Sequence, residues 1–378
     1  MTKWAAAHLY TRRAVNRSLR RPTAPLLALT FLVACSGSSA VVVTTTTSSS
    51  TTSSSTTSSS SSTTTSSTST TTIAPTTTAA HVHIPSVSWP PYSPLPGATG
   101  SAPLTGLAGG GDAPIVAVKI DNSQLARGQW GLDGADVVFE ENVEGVTRFI
   151  ALFQSRQPAE VGPVRSARTG DLYLLSGMNR PILAWSGGNA GVTAWVQGAA
   201  TAGRLVNLSA LRVHCYRRDA SKPKPHNLVL DLGCARSQGA GAGAARPLWE
   251  FGTVASGTPT AAFDVRMNGG GVHWEWDATN GYYVRWMGGA VHTTAGGVPL
   301  TATNVVIVSC THIPSPADGR SLVPVTVGSG KVVIHSGGLA RTGTWVRTLD
   351  TDPWTFLGDD GSTLVLNPGT TYVELAKG

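Results

Sequence analysis

Arg165 and Arg168 stand three residues apart in the stretch VGPVRSARTGD, behind a Gly-Pro turn and just ahead of an apolar run. Guanidinium groups are planar, permanently charged and rich in donors, so two of them at that spacing are suited to holding an anion. The anion is either a carboxylate of the protein itself or a phosphate or carboxylate that binds. Nearby segments supply Asp121, Asp136, Glu140, Glu141 and Glu144, with Lys119, Arg127, Arg148, Asp171, Arg218, Asp219 and His226. This is dense for a chain in which only 13% of residues are charged.

Two readings follow. In the first, Ser166 or Thr169 caps a helix over DLYLLSGM, and the two arginines lie beside free N–H groups at its positive end. Gly187, Gly188 and Asn189, closing a strand, would let a ligand approach the backbone. The candidate anion-binding set is then Arg165, Arg168, Arg148, Arg127, Gly187, Gly188, Asn189 and His226. In the second, a hairpin turning at Glu144-Gly145 sets Glu141 opposite Arg148, and Glu140 and Glu144 satisfy Arg165 or Arg168. Such a cross-strand pair is worth only about 0.2–1 kcal/mol and needs no ligand. No Ser-His-Asp order, reactive-Cys setting, HExxH or Walker loop accompanies these residues, and no Cys/His spacing fits zinc. No metal or cofactor is expected, and no catalytic residue can be assigned.

The elements that must position these groups are legible as short runs. PIVAVKID reads as a buried strand, and ADVVFEENVEGVTRFIALFQS as two strands around a turn. DLYLLSGM and AGVTAWVQGAA read as helices, with RPILAWSGG a strand between them. The expected fold is an α+β or α/β domain over 113–235, a Gly/Ala-rich linker over 236–246, and a mostly-β domain over 247–378. In the latter, VHWEWDATNGYYVRWMGG alternates around Asn280-Gly281, a strong hairpin signal. Its Trp and Tyr residues are expected mainly as core and cross-strand pairs.

The formal charge is +7, but six of the 28 bases and none of the 21 acids fall in residues 1–34, leaving a net +1 for the rest. The basicity therefore belongs to the N-terminus, and no aromatic-and-basic stretch points to nucleic acid. Residues 1–34 read as a signal peptide: a basic region, then PLLALTFLVA, too short to span a bilayer. It ends in LVAC, which resembles the bacterial lipobox and marks Cys35 for diacylglycerol and acyl (palmitate) attachment; an ordinary secretory signal with a chance Cys is the alternative. The pairs Arg12-Arg13 and Arg20-Arg21 raise twin-arginine export beside the Sec route. Residues 44 to 72 are 29 consecutive Ser or Thr, with nothing apolar to offset ordering entropy. The stretch 35–112 is accordingly expected to be a disordered stalk, either glycosylated or a passive spacer. Outside the cytoplasm Cys215, Cys234 and Cys310 can admit one bridge; Cys215–Cys234 closes a short, Pro-rich polar loop, and the alternative is three buried thiols.

The run APIVAVKIDNSQLARGQWGLDGADVVFEENVEGVTRFIALFQSRQPAEVGPVRSAR, followed in order by WSGGN, YRRD and PHNL, closely resembles the N-terminal domain of the YerB-like lipoprotein family, domain of unknown function 3048. YYVRW, TNVVIVS, GTW and LNPGTTYVEL resemble its C-terminal domain. Where an acidic residue is expected after the YYVRW strand, this chain has AVHTTAG. The resemblance implies a two-domain surface lipoprotein and supplies no established activity. Read from the residues, the expected role is a binding or scaffolding protein on the outer face of the cell membrane, with cell-wall glycan or another envelope protein as partner. An enzyme reading rests on a thinner likeness to LytR-CpsA-Psr transferases, which act on polyprenyl-linked polymer precursors, with Asp136 and Arg165 at the matching positions.

Overall fold

All six residues of VVFEEN, Val137 to Asn142, are buried, including both glutamates. A strand buried along its whole length must lie inside a sheet covered on both faces, and the computed structural model places it there. The residues described are 89–97, 100–109 and 111–378; the expected signal peptide, Cys35 and the Ser/Thr tract lie outside them. The strands that matter are β1 Val116–Asp121, β2 Val137–Asn142, β3 Thr147–Phe153, β4 Ile182–Trp185, β5 Val206–Ser209, β6 Ala262–Met267, β7 Gly270–Asp277, β8 Tyr282–Met287, β9 Asn304–Cys310, β10 Gly328–Ser336, β11 Leu339–Arg347, β12 Thr355–Gly358 and β13 Thr371–Lys377. The helices are α1 Thr169–Ser176, α2 Ala190–Thr201 and α3 Leu232–Ser237. The described chain is thus mostly β with few helices.

One sheet runs through both halves of the sequence in the order β12-β11-β10-β9-β13-β2-β3-β1-β4-β5. The last strand, β13, is laid parallel between β9 and β2, with Glu374 level with Glu140 and Ile307. The segments separated in sequence by the Gly/Ala-rich stretch therefore share one ladder, because the final strand of the chain supplies backbone partners to both. β2 and β3 form the expected hairpin: Glu141 is opposite Arg148, and Gly145 takes φ +71° at the turn.

Alternation along β1–β3 makes two cores. On one face Ala117, Phe139, Ile150 and Leu152 pack with Leu174 and Leu175 of α1 and Trp195 and Val196 of α2. On the other, Val118, Val138, Phe149 and Ala151 meet Val265, Val272, Trp274 and Tyr283 of the smaller β6-β7-β8 sheet. The aromatic residues of that hairpin serve as expected on the inward positions: Trp274 and Tyr283 are fully buried.

Part of the stretch expected as a stalk over 35–112 packs on the fold instead. Trp89 is 6% and Leu104 1% exposed, and the Trp89 ring lies edge-on to Trp195 at 5.9 Å and to Tyr173 at 6.1 Å. Tyr92 N–H donates to Ala202 O, and Asn179 bonds both N–H and C=O of Leu95. The Pro-rich composition of this segment suits an extended strap with few internal bonds, and its few large apolar residues anchor it. Cys215 and Cys234 are disulfide-bonded, and Cys310 is a buried free thiol that burial pushes up to about 12.

Candidate functional site

The stretch that carries the arginines runs beside β1. Asp121 N–H donates to Pro163 O at 2.9 Å, Arg165 N–H to Lys119 O at 2.8 Å, and Ser186 N–H to Arg165 O at 3.0 Å. This lays residues 163–168 over the ends of β1 and β3, and each guanidinium meets a different partner. Arg165 Nε is 2.9 Å from Asp121 Oδ2, the oxygen that also meets His226 Nδ1 at 2.7 Å. Burial alone would raise the Asp121 carboxyl, but Ser123 N–H, His226 and Arg165 together hold it below the usual range. Arg168 grips Glu144 bidentately, Nε at 3.0 Å and Nη2 at 2.7 Å. Against the effect of its own burial, bonds from Arg168 and Ser321 bring Glu144 down to about 2.

The start of α1 is occupied from within. Arg168, rather than Ser166 or Thr169, holds the cap position, and Asp171 in the first turn accepts its N–H at 2.8 Å. The other oxygen of Asp171 takes Lys119 Nζ at 2.9 Å, and Lys119 also pairs with Glu141. Lys119, Glu141 and Asp171 are sealed from solvent, with side chains 0–1% exposed. One cation serves two carboxylates, and burial, then the nearby Asp171 charge, pushes Glu141 up to about 7. Glu141 therefore faces Arg148 only in backbone register. Arg148 gives Nη1 to Ser166 O at 3.0 Å, and burial, then the charges of Arg168 and Arg165, lowers it to about 10.

The opposite face of the same strands holds a second cluster. Glu140 pairs with Arg285 of β8 and accepts from Asn122 at 3.0 Å, rather than serving Arg165 or Arg168. Glu374, its neighbour on β13, is buried completely and raised well above the carboxylate range by burial and by Glu140. Trp274 Nε1 donates to Glu374 at 3.2 Å. His292, in the AVHTTAG segment where an acid was expected, stays neutral: burial, then Arg285 and Arg127, drive it down to about 2. Its Nδ1 accepts from Arg285, and its Nε2 donates to Gln129 at 2.9 Å. Arg127 belongs here, within the field of Arg285 and Glu140, and not with Arg165 and Arg168.

Asp136 lies elsewhere. It precedes β2, whose other end carries Glu141, so roughly 17 Å of strand separates them. It is fully buried and accepts from the N–H groups of Gln154 and Ser155 at 2.6 and 2.8 Å. Asp136 and Arg165 do not line one cleft as the transferase likeness required, because Asp136 is consumed in tying the end of β3.

Arg168 does line an open cleft of about 920 Å³, with Glu144, Gly187, Gly188, Asn189, Asp318 and Arg320. The loop after β4 and the start of α2 form one wall. Asn189 caps α2, accepting from Val192 N–H at 2.8 Å, and its Nδ2 donates to Asp318 at 2.8 Å. Gly187 adopts φ +118°, a conformation open to glycine, next to Leu211. Of the sequence-derived set, the structure brings Arg168, Gly187, Gly188 and Asn189 to the cleft, Arg165 and His226 to Asp121, and Arg148 to Ser166 O. Asp318, Arg320, Arg285, His292 and Glu374 were not singled out. Arg285 had a signal, since it alternates with Tyr283 and Met287 on the inward side of YYVRW. Glu374 had one too, as a lone acid in the apolar run TYVELA.

Family models for the N-terminal and C-terminal domains of the protein of unknown function DUF3048 match residues 104–244 and 263–373. The "Putative lipoprotein YerB" of Bacillus subtilis (strain 168) is 29% identical over 297 residues, covering 72% of this chain and 85% of that protein. The crystal structure of the YerB protein from Bacillus subtilis superposes with a TM-score of 0.62 and 26% identity, over 73% of this chain and 96% of that one. No helix among the described residues is long and apolar enough to cross a membrane. With both of its domains present in order, the chain belongs to the DUF3048 family.

Proposed function

We propose that this protein is a lipid-anchored binding protein of the bacterial cell envelope, tethered through Cys35, that takes an acidic cell-wall glycan in the cleft beside Arg168. One observation carries the reading: the acids of the cleft are spent, while several of its backbone N–H groups and the Arg320 side chain are not. Glu144 is committed to Arg168 and Ser321, and Asp318 to Asn189, Ser321 and the N–H of Arg320. The N–H groups of Gly187, Gly188, Ala190 and Gly191 find no backbone acceptor among the described residues, and the Arg320 side chain is exposed. A wall of unspent donors calls for a ligand rich in acceptors and bearing negative charge. The likeness to a lipoprotein, together with LVAC at Leu32 to Cys35, supports the anchor.

The test is calorimetric titration of the full mature chain with soluble muropeptides from a muramidase digest. Arg320→Glu reverses an exposed charge that the fold does not use, so stability should hold while affinity falls at least about tenfold. Equal affinity of parent and variant would overturn the assignment of the cleft.

A further inference from the structure

Arg148 is the middle member of the row Asp121–Arg148–Glu141 across β1, β3 and β2. Both of its neighbours are committed elsewhere, Asp121 to Arg165 and His226, Glu141 to Lys119. Among the described residues no carboxylate oxygen comes within the 4.0 Å that defines an ion pair with its guanidinium. It is only 7% exposed, its Nε is buried without a partner, and its one hydrogen bond goes to a neutral carbonyl, Ser166 O. The charges beside it that bear on it most are two more arginines, Arg168 and Arg165. The carboxylates of Asp121 and Glu144 act on it from beyond ion-pair distance and do not offset burial and the two arginines, and a guanidinium taken out of water with one bond is unfavourable unless an anion completes it.

Resting on the binding-protein reading above, we propose that Arg148, Arg165 and Arg168 seat a phosphodiester group of the ligand. Asp121 is paired with Arg165 and Glu144 with Arg168, which leaves the charge of Arg148 as a surplus of one without an ion-pair partner. A phosphodiester carries one negative charge and neutralises that surplus, where a dianionic phosphate would overshoot it. Arginine N–H groups approaching from three side chains also suit a tetrahedral group better than a planar carboxylate, which a single bidentate arginine satisfies. Ser166 connects this seat to the cleft: its carbonyl holds Arg148 and the residue lines the cavity. The diester could belong to a glycan chain or to a phospholipid headgroup, and the two share this chemistry.

Thermal melts of the full mature chain carrying Cys35→Ala, which removes the proposed lipid anchor, with bis(glyceryl) phosphate, and co-sedimentation of the same chain with phosphatidylglycerol vesicles in a phosphatidylcholine background, separate the sources. The parent should show a saturable rise in Tm with the soluble diester, larger than with inorganic phosphate at equal concentration, or diester-dependent vesicle binding. Arg148→Met should abolish whichever response is seen and, without ligand, melt no lower than the parent, because an uncompensated buried charge has been removed. Arg148→Lys, which keeps the charge, should retain part of the response and controls for folding. A response confined to vesicles assigns the lipid headgroup; one to the soluble diester assigns a glycan phosphodiester. No saturable response in either arm, or a response that survives Arg148→Met, overturns the proposal. Arg320→Glu is the separate handle on the muropeptide reading, so either can fail alone.

Discussion

Lys119→Met removes the one cation from the sealed Lys119–Glu141–Asp171 cluster, and its cost can be worked from the structure. Deleting one partner of a buried ion pair typically costs about 3–5 kcal/mol, because the remaining charge is left in low dielectric. The expectation here is the lower end. Glu141 already sits near 7 and can stay protonated, so the principal stranded charge is Asp171, which keeps the Arg168 N–H at 2.8 Å. About 3 kcal/mol corresponds to a fall in Tm on the order of 6–12 °C for a domain of this size. The pH dependence has a definite sign. A carboxyl whose folded pKa is raised is protonated in the folded state and ionised in the unfolded one over the interval between the two pKa values. Glu141 therefore contributes most below its unfolded value of 4.5, and its contribution is lost as pH rises through about 7. The slope is about 1.4 kcal/mol per pH unit for one proton. In Lys119→Met the loss of the cation pushes Glu141 further up, so the deficit relative to the parent should grow between pH 5 and pH 8. Urea unfolding followed by circular dichroism at those two pH values measures it. A loss under about 1 kcal/mol, or an equal loss at both pH values, would refute the account of a cation-starved cluster.

Three further outcomes are expected. Trp89→Ala should cost about 3–5 kcal/mol, since the indole packs on Tyr173 and Trp195; an unchanged melt would contradict the packing of residues 89–97 on the core. Glu374→Gln should change stability by less than about 1 kcal/mol, whereas Glu140→Gln, which strands Arg285, should cost about 3–5 kcal/mol; equal losses in paired melts would contradict a protonated Glu374. As part of the proposed anchoring, Cys35→Ala should abolish lipid labelling and release the protein from the membrane fraction, and persistent labelling would remove the anchor from the proposal.

Much of the local structure was legible because it depends on short-range rules. The β2–β3 hairpin, its turn at Glu144-Gly145 and the register of Glu141 with Arg148 follow from alternation and one glycine. The helices α1 and α2 fall on the stretches read as helical, and the inward positions of the VHWEWDATNGYYVRWMGG hairpin follow from period two. The partners of the charges were not legible. The sequence places Glu141 opposite Arg148, yet the side chain turns to Lys119, two residues back on a strand one place further across the sheet. Glu140 finds Arg285, 145 residues away.

The chain by itself determined which segments extend, where they turn, that the basic charge belongs to the N-terminal 34 residues, and that an arginine-rich turn lies among acids. Only the tertiary structure decided which anion each arginine faces, that the last strand joins both halves in one sheet, and that Trp89 belongs to the core. The reason is range. Backbone propensity and alternation act over a few residues, whereas pairing of buried charges and insertion of a parallel strand depend on which distant segments share a face. Two adjacent glutamates on β2 show the division: alternation sends them to opposite faces, and only the packing of β1 with α1 on one face, and of β8 with β13 on the other, gives each its cation and its companion carboxyl.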